Sequence, residues 1–169
     1  MWFAYALVKW NNRKKLKADI AKSSEKGFTY TMKELLPYAF VLFLVFVSFG
    51  LLTKRSVVDH TIIYILLLYP VWGILQQYLV LGIFGKNLKI LLGSLYSDWV
   101  VVLITAVLFS IVHYPSLILI GATFFLAIVY VSLFLRGRSM LAMGVYHGWL
   151  AAFFFYFVLE RNPWLEAFG

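Results

Sequence analysis

The sequence predicts an all-α protein: a polytopic membrane helix bundle with about five transmembrane helices and a cytoplasmic N-terminus. Three observations support this prediction. Of the 169 residues, 63% are hydrophobic and only 13% are charged, whereas soluble domains are about 45–50% apolar. Five apolar stretches approach the roughly 20 residues that a bilayer-spanning helix needs. The positive charges are concentrated in the segments on one side of those stretches.

Residues 1–34 are predicted to form a basic N-terminal arm that lies on the membrane surface or in the cytoplasm. The arm begins with MWFAYALVKW, which is apolar and aromatic but too short to span a bilayer. Its basic run follows the apolar run, which is the reverse of the order in a signal peptide. A position next to the membrane explains this charge, so no nucleic-acid partner is expected.

Residues 35–160 are predicted to form the membrane bundle, and residues 161–169 a short C-terminal tail. The apolar runs lack the polar–apolar alternation of transmembrane β-strands. Backbone amides in hydrocarbon must be satisfied within their own segment, so each run should be helical. The predicted spans are Leu35–Thr53, Thr61–Phe84, Trp99–His113, Ser116–Leu135 and Met140–Leu159.

The distribution of Lys and Arg sets the predicted orientation. With the N-terminus in the cytoplasm, twelve of the fifteen cationic residues fall in cytoplasmic segments. Only Lys54, Arg55 and Arg161 fall outside. This asymmetry is the one that the positive-inside rule describes, and it predicts a multi-pass protein with its C-terminus outside. The cytoplasmic basic arm fits a bacterial inner membrane, which we predict, and equally an organellar membrane.

Four polar side chains are predicted to lie at membrane depth: Gln76, Gln77, His113 and His147. Polar groups in this environment are expensive and by default indicate function. The alternative is that each one only joins two helices, since such contacts stabilise membrane bundles by about 0.6–2 kcal/mol. Gly144 and Gly148 flank His147 in a GxxxG spacing, which predicts close packing of another helix at this point.

Three short motifs occur in order on these helices. QQYLVLG begins at Gln76, FSIVH ends at His113, and GVYHGWLA contains His147. In this order the chain resembles the CPBP (CAAX protease and bacteriocin-processing, or Abi) family of intramembrane endopeptidases, whose motifs are EExxxR, FxxxH, and HxxxN or HxxxD. The resemblance covers about residues 69–159. It implies a membrane helix bundle whose protease site corresponds to Gln76, Gln77, His113 and His147.

The sequence departs from the family motifs at the charged positions. Gln76 and Gln77 stand where the family has two glutamates, Leu81 where it has arginine, and Ala151 where it has Asn or Asp. In the family, the first glutamate and the histidines are thought to activate a water for attack on a peptide carbonyl. A glutamine amide cannot take the proton of that water, and general-base help is worth roughly 10²–10⁴ in rate. We therefore expect a degenerate site, in which the joint loss of Glu and Arg avoids an unpaired buried charge.

No other carboxylate is predicted to replace the missing one. The span assignment puts every acidic residue in the arm, in a loop or at a helix end: Asp19, Glu25, Glu34, Asp59, Asp98, Glu160 and Glu166. The chain has no cysteine, so His113 and His147 are the remaining metal ligands, whereas catalytic zinc sites supply three. No cofactor is expected, and zinc on these two histidines is the alternative. The simplest alternative is that the imidazoles hydrogen-bond the glutamines or a trapped water.

These observations favour a non-catalytic, CPBP-like membrane protein. It would bind a membrane-embedded peptide, lipid or helix in the former protease cavity, or act as a subunit of a membrane complex, with membrane lipids as further partners. The first alternative is a working intramembrane peptidase of the CAAX type with a non-standard site, which would use His113 and His147 with a base from a partner chain or an unrecognised base of this chain. The second is a small transporter or channel element, although the inverted repeats typical of that class are not evident.

Overall fold

The computed structural model describes residues 27–92 and 96–168, and it confirms the all-α class. No β-strand occurs in these two ranges. The predicted interfacial segment Met1–Trp10 and the basic run that follows it lie outside the described residues. The helices are α1 (Phe28–Leu52), α2 (Ile62–Gln77), a π-helical segment (Tyr78–Gly85), α3 (Lys86–Leu92), α4 (Asp98–Ile111), α5 (Leu117–Leu135), α6 (Met140–Phe157) and α7 (Pro163–Phe168).

Four helical stretches are long and apolar enough to cross a membrane: Phe28–Leu52, Ile62–Leu92, Leu117–Leu135 and Met140–Phe157. They make this chain an integral membrane protein. The remaining predicted span corresponds to α4, which has 14 residues. At 1.5 Å per residue, α4 is about 21 Å long, which is shorter than the roughly 30 Å hydrocarbon core.

Two helices extend beyond their predicted bounds. Helix α1 begins at Phe28 rather than Leu35, so the end of the predicted arm is helical. Contacts with the turn before α6 hold these extra residues: the Ser139 amide donates to Thr31 Oγ1 at 3.0 Å, and Arg138 Nε donates to Glu34 at 2.7 Å. The second predicted span continues past Phe84 through the π-helical segment and α3.

Helix α6 is the centre of the bundle and packs against both α1 and α2. It runs parallel to α1, because Ser139 contacts Thr31 at one end and Phe157 lies against Gly50 at the other. Helix α2 runs antiparallel to α6, since Gly148 lies against Tyr69. Helix α6 uses different residues for the two contacts. Its glycines face α2, whereas its aromatic rings face α1. For example, the ring centroids of Phe153 and Phe43 lie 4.6 Å apart.

Polar networks tie the helix ends together at the side opposite Arg138. The side chain of Asn162, just before α7, donates to Asp59 Oδ2 at 3.1 Å and to Thr61 Oγ1 at 3.0 Å. The Tyr156 hydroxyl donates to Asn162 Oδ1 at 3.0 Å. The Thr61 hydroxyl donates to Asp59 and lowers the pKa of that carboxyl below its usual value. The loop between α1 and α2 is thereby joined to the end of α6.

Helices α4 and α5 form an antiparallel hairpin, as the tight turn at Pro115 predicts. Ala106 and Phe109 of α4 pack against Ala127 of α5. Ser116 caps α5 by accepting a hydrogen bond from the Leu119 amide at 3.3 Å. The hairpin contacts the rest of the bundle through the π-helical segment and the core around Leu81.

Replacing Gly144 with alanine should separate α2 from α6. A Cβ atom on Gly144 would lie 2.5 Å from Ile74 Cα, a backbone atom that cannot rotate away. Overpacking of this kind costs about 1–3 kcal/mol, and we expect G144A to lower the free energy of unfolding by that amount. Reversible unfolding in mixed detergent micelles, followed by circular dichroism, measures the change.

Gly121→Ala in α5 is the matched control. A Cβ atom at Gly121 would meet no atom within 4 Å, and alanine is favoured over glycine inside a helix by roughly 0.5–1 kcal/mol. G121A should therefore leave the unfolding free energy unchanged or raise it slightly. Equal destabilisation by both substitutions would contradict the close contact between α2 and α6.

Candidate functional site

The contact between α2 and α6 brings a glutamine next to a histidine. At Gly73, a Cβ atom would lie 2.2 Å from Gly144 O and 2.7 Å from Gly148 N, so the two helix backbones touch. Gln76 lies just beyond Gly73 on α2, and His147 lies between the two glycines of α6. Small residues allow this approach because they bring no side chain into the interface. The GxxxG spacing therefore allows the close helix approach that places Gln76 next to His147.

Gln76 and His147 form a hydrogen bond at this contact. The Nε2–H of His147 donates to Gln76 Oε1 at 2.9 Å. In a neutral imidazole with its proton on Nε2, Nδ1 is an acceptor. The Nδ1 atom is buried and has no hydrogen-bond partner among the described residues. His147 is only 5% exposed, so this acceptor is directed into the protein at membrane depth.

His113 approaches the same cluster from the end of α4. Its Nδ1–H donates to the backbone oxygen of Phe109 at 3.0 Å, and Thr123 Oγ1 of α5 lies 3.5 Å from the same nitrogen. The Phe109 ring contacts both imidazoles edge-to-face, with ring centroids 5.2 Å from His113 and 5.6 Å from His147. The two histidines therefore meet on a shared aromatic ring, and only His147 hydrogen-bonds a glutamine in the described structure.

The remaining motif positions lie around this cluster. Gln77 is buried, with 2% of its surface exposed, and it directly precedes the π-helical segment. Leu81 is completely buried in a core cluster with Met140 and Met143. Ala151 is half-buried on α6. These two positions therefore add only apolar side chains to the surroundings of the cluster.

The carboxylates in the described ranges lie away from the imidazoles. Each has a partner near a helix end: Glu34 with Arg138, Asp59 with Thr61 and Asn162, Asp98 with Lys89, Glu160 with Arg55, and Glu166 with Arg161. Asp19 and Glu25 lie outside the described residues. Within residues 27–92 and 96–168, no ion pair joins a carboxylate to His113 or His147. Among the described residues, the cluster is therefore built from imidazole, amide and hydroxyl groups without a carboxylate.

No set of three or more His, Cys, Asp or Glu side chains in the described part of the chain is arranged to hold a metal ion. His113 and His147 are the two candidate ligands that the sequence offered. Their rings both contact Phe109, and the Nε2–H of His147 is already used by Gln76. A metal bound by both histidines would require His147 to lose that proton or to bind through Nδ1.

The sequence did not indicate three features of the site. The first is the π-helical segment that follows the glutamines directly; such segments are often found at functional sites. The second is Thr123, which lies beside His113. The third is Thr105 Oγ1, a buried hydroxyl with no partner among the residues that the structure describes. A threonine in an otherwise apolar helix could have indicated such positions from the sequence, because its hydroxyl needs a hydrogen bond at this depth.

The fold and the site define an integral membrane protein with a neutral polar cluster between its helices. In the comparisons with known proteins, no protein-family model, no curated protein and no solved structure matches the chain. Its function is therefore inferred from the geometry of the cluster.

Replacing Gln76 with alanine should remove one specific contact. The variant leaves the buried Nε2–H of His147 without its acceptor, and side-chain hydrogen bonds between membrane helices measured by double-mutant cycles contribute about 0.6 kcal/mol, with a maximum near 1.7 kcal/mol. We expect Q76A to lower the free energy of unfolding by an amount in this range. In a His147→Leu background, the same substitution should have no further effect through this bond. If Q76A lowered the free energy of unfolding equally in the unaltered chain and in His147→Leu, the hydrogen bond between Gln76 and His147 would be contradicted.

Proposed function

We propose that this chain is a multi-pass membrane protein, related to the CPBP family, that binds a partner segment at the Gln76–His147 cluster without hydrolysing it. The observation that carries the proposal is the 2.9 Å hydrogen bond from His147 to a glutamine, where the family motif has a glutamate. The described carboxylates are engaged at the helix ends. The cluster therefore offers hydrogen bonds to a ligand rather than a base.

The chemistry of the amide supports binding over hydrolysis. Water attacks a peptide carbonyl efficiently when a neighbouring group takes its proton, which contributes roughly 10²–10⁴ in rate. An amide oxygen is too weakly basic to take a proton from water. Gln76 Oε1 also already accepts a hydrogen bond from the Nε2–H of His147. His147 Nδ1 could act as a base, but no described anion would stabilise the imidazolium that forms. Proton transfer from water is therefore disfavoured.

An unpartnered polar atom of the cluster supports a role in recognition. His147 Nδ1 is buried without a partner among the described residues. An unsatisfied polar group in hydrocarbon costs several kcal/mol. The backbone N–H groups of a transmembrane helix are bonded within the helix, so a side-chain hydroxyl of a partner segment that enters between the helices around this buried ring is the group that could donate to His147 Nδ1. We propose such a segment, from another subunit or a membrane-embedded peptide, as the partner.

An active intramembrane peptidase is the second candidate. The observation that favours it is the position of His113 and His147 against one Phe109 ring, as expected if FxxxH and the last motif contribute to one site. The missing carboxylate would have to come from a partner chain or from Asp19 or Glu25, which lie outside the described residues. The two candidates differ in whether the bound segment is cut.

Copurification from the native membrane in mild detergent tests the proposal. We expect the unaltered chain to elute with one partner at fixed stoichiometry, and the partner to be of full length. His147→Ala should release the partner, because it removes both ring nitrogens from the cluster. His60→Ala is the matched control, since His60 is exposed in the loop between α1 and α2.

Two results would contradict this function. A chain that elutes alone as a monomer would exclude a stable partner. A partner that is shortened in membranes containing the unaltered chain, and is intact with His113→Ala, would support the peptidase.

We also propose that the N-terminus faces the cytoplasm of a bacterial inner membrane. Lys33 and Arg138 lie at one end of the bundle, near the Thr31–Ser139 contact, whereas Arg55 and Arg161 lie at the other, near Tyr156. Positive residues are enriched in cytoplasmic segments. In the sequence, seven further cationic residues precede Lys33, at positions 9 to 26.

The absence of cysteine from the sequence allows a direct test of this orientation. Single variants Ser56→Cys and Arg136→Cys place a thiol in the loops at opposite ends of the bundle. A membrane-impermeant maleimide should label Ser56→Cys in intact cells or spheroplasts, and Arg136→Cys only after the membrane is opened. The reverse pattern would invert the topology, and labelling of both in intact cells would contradict the bundle as a spanning structure.

A further inference from the structure

A second candidate site lies on the face of α6 that carries Tyr146, Trp149, Leu150 and Phe153, and His147 is not part of its lining. A groove of about 310 Å³ runs along α6 between α1 and α2. It is lined by four residues of α1, four residues of α6, and Leu66 of α2. Helices α1 and α2 both pack mainly on α6, and the groove is the space that this arrangement leaves over α6.

The groove presents only carbon to a ligand. Its two polar side chains are Tyr146 and Trp149, and both already donate to backbone oxygens. The Tyr146 hydroxyl donates to Met32 O at 2.8 Å, and Trp149 Nε1–H donates to Leu66 O at 3.1 Å. A ligand that lies here therefore gains by burying apolar surface and finds no free donor or acceptor.

The mouth of the groove carries a positive charge. Lys33 precedes the groove residues Leu36 and Phe40 by three and seven positions, so the three side chains lie on one face of α1. The neighbouring Glu34 is paired with Arg138 through two hydrogen bonds, at 2.7 and 3.2 Å, and this pair is close to neutral. The exposed ammonium of Lys33 therefore sets the sign of the charge at this end of the groove.

We propose that this groove holds one acyl chain of an anionic phospholipid whose phosphate lies at Lys33. The lining accepts a hydrocarbon chain, and the charge at the mouth complements a phosphate. A helix from a second copy of the chain fits less well, because a helix with its side chains is about 10–12 Å across, whereas an acyl chain is a single unbranched hydrocarbon chain. This site is separate from the Gln76–His147 cluster and does not depend on the proposed function.

Photolabelling of the unaltered full chain tests the proposal. The protein is placed in phosphatidylcholine nanodiscs that contain a trace of phosphatidylglycerol with a photoactivatable acyl chain. Mass spectrometry should locate the label on residues 36–43 of α1 and 146–153 of α6. One Lys near the membrane surface favours an anionic lipid by about five-fold, so unlabelled phosphatidylglycerol should compete about five times better than added phosphatidylcholine.

Two variants, each with a matched control, separate the chain from the headgroup. Ala39→Phe fills the groove and should remove most of the label, whereas Ala122→Phe at an exposed position of α5 should not. Lys33→Gln should abolish the five-fold preference for phosphatidylglycerol, and Lys54→Gln at the other end should retain it. Size-exclusion chromatography checks that each variant is folded. If Ala39→Phe does not fold, the position of the label on the unaltered chain and the comparison of Lys33→Gln with Lys54→Gln test the proposal.

Three results would overturn the inference. Label spread evenly over the lipid-facing helices would exclude a defined acyl site. A preference for phosphatidylglycerol that survives Lys33→Gln would exclude the headgroup contact. Crosslinks from the groove to another copy of the chain, in place of lipid, would assign the surface to self-association.

Discussion

The backbone contact between α2 and α6 is the constraint on which the rest of the structure depends. Membrane helices gain little from the hydrophobic effect when they associate, so they rely on close packing and on hydrogen bonds. Here Gly73 meets Gly144 and Gly148 with no side chain between the backbones. Longer side chains must lie at the edges of such a contact, and Gln76 and His147 do so. The glycines that pack the two helices thus also set the 2.9 Å hydrogen bond of the polar cluster.

The same helix has two different faces, and each one produces a different kind of surface. The glycine face of α6 brings α2 close and buries polar atoms. The face toward α1 carries Phe153 and Phe154, whose rings meet Phe43 and Phe46 at 4.6 and 5.2 Å. Along this stretch aromatic rings fill the space between α1 and α6, whereas at Gly50 a Cβ atom would lie 2.7 Å from the backbone oxygen of Phe157. The apolar groove is lined by Phe43 and Phe153 of this aromatic contact, so one short sequence, Gly144 to Phe154, contributes to both candidate sites.

The sequence was sufficient for the fold class, because long apolar runs with few charges allow only helices in a bilayer. It was not sufficient for the helix bounds. Residues 28–34 were predicted as part of the basic arm, whereas in the structure they are helical and are held by Ser139 and Arg138, which are distant in sequence. The π-helical segment after Gln77 has no periodic signal, since YLVLGIFG is apolar at every position. The pairing of Gln76 with His147 was among the alternatives for the cluster, whereas the backbone partner of His113 depends on the end of α4 and could not be predicted.

The neutrality of the cluster extends beyond Gln76. Leu81 is completely buried against Met140 and Met143, and an arginine there would need both space and a counter-charge. A glutamate at position 76 would place a carboxylate on the Nε2–H of His147, where only the imidazole itself could supply the positive charge, because no Lys or Arg pairs with this cluster among the described residues. The apolar core around Leu81 and the amide of Gln76 are compatible with each other, since neither brings a fixed charge that the bundle would have to pair. An arginine at position 81 would find each described carboxylate already engaged near a helix end, so the packing at Leu81 and the hydrogen bond at Gln76 belong to one interior without fixed charges.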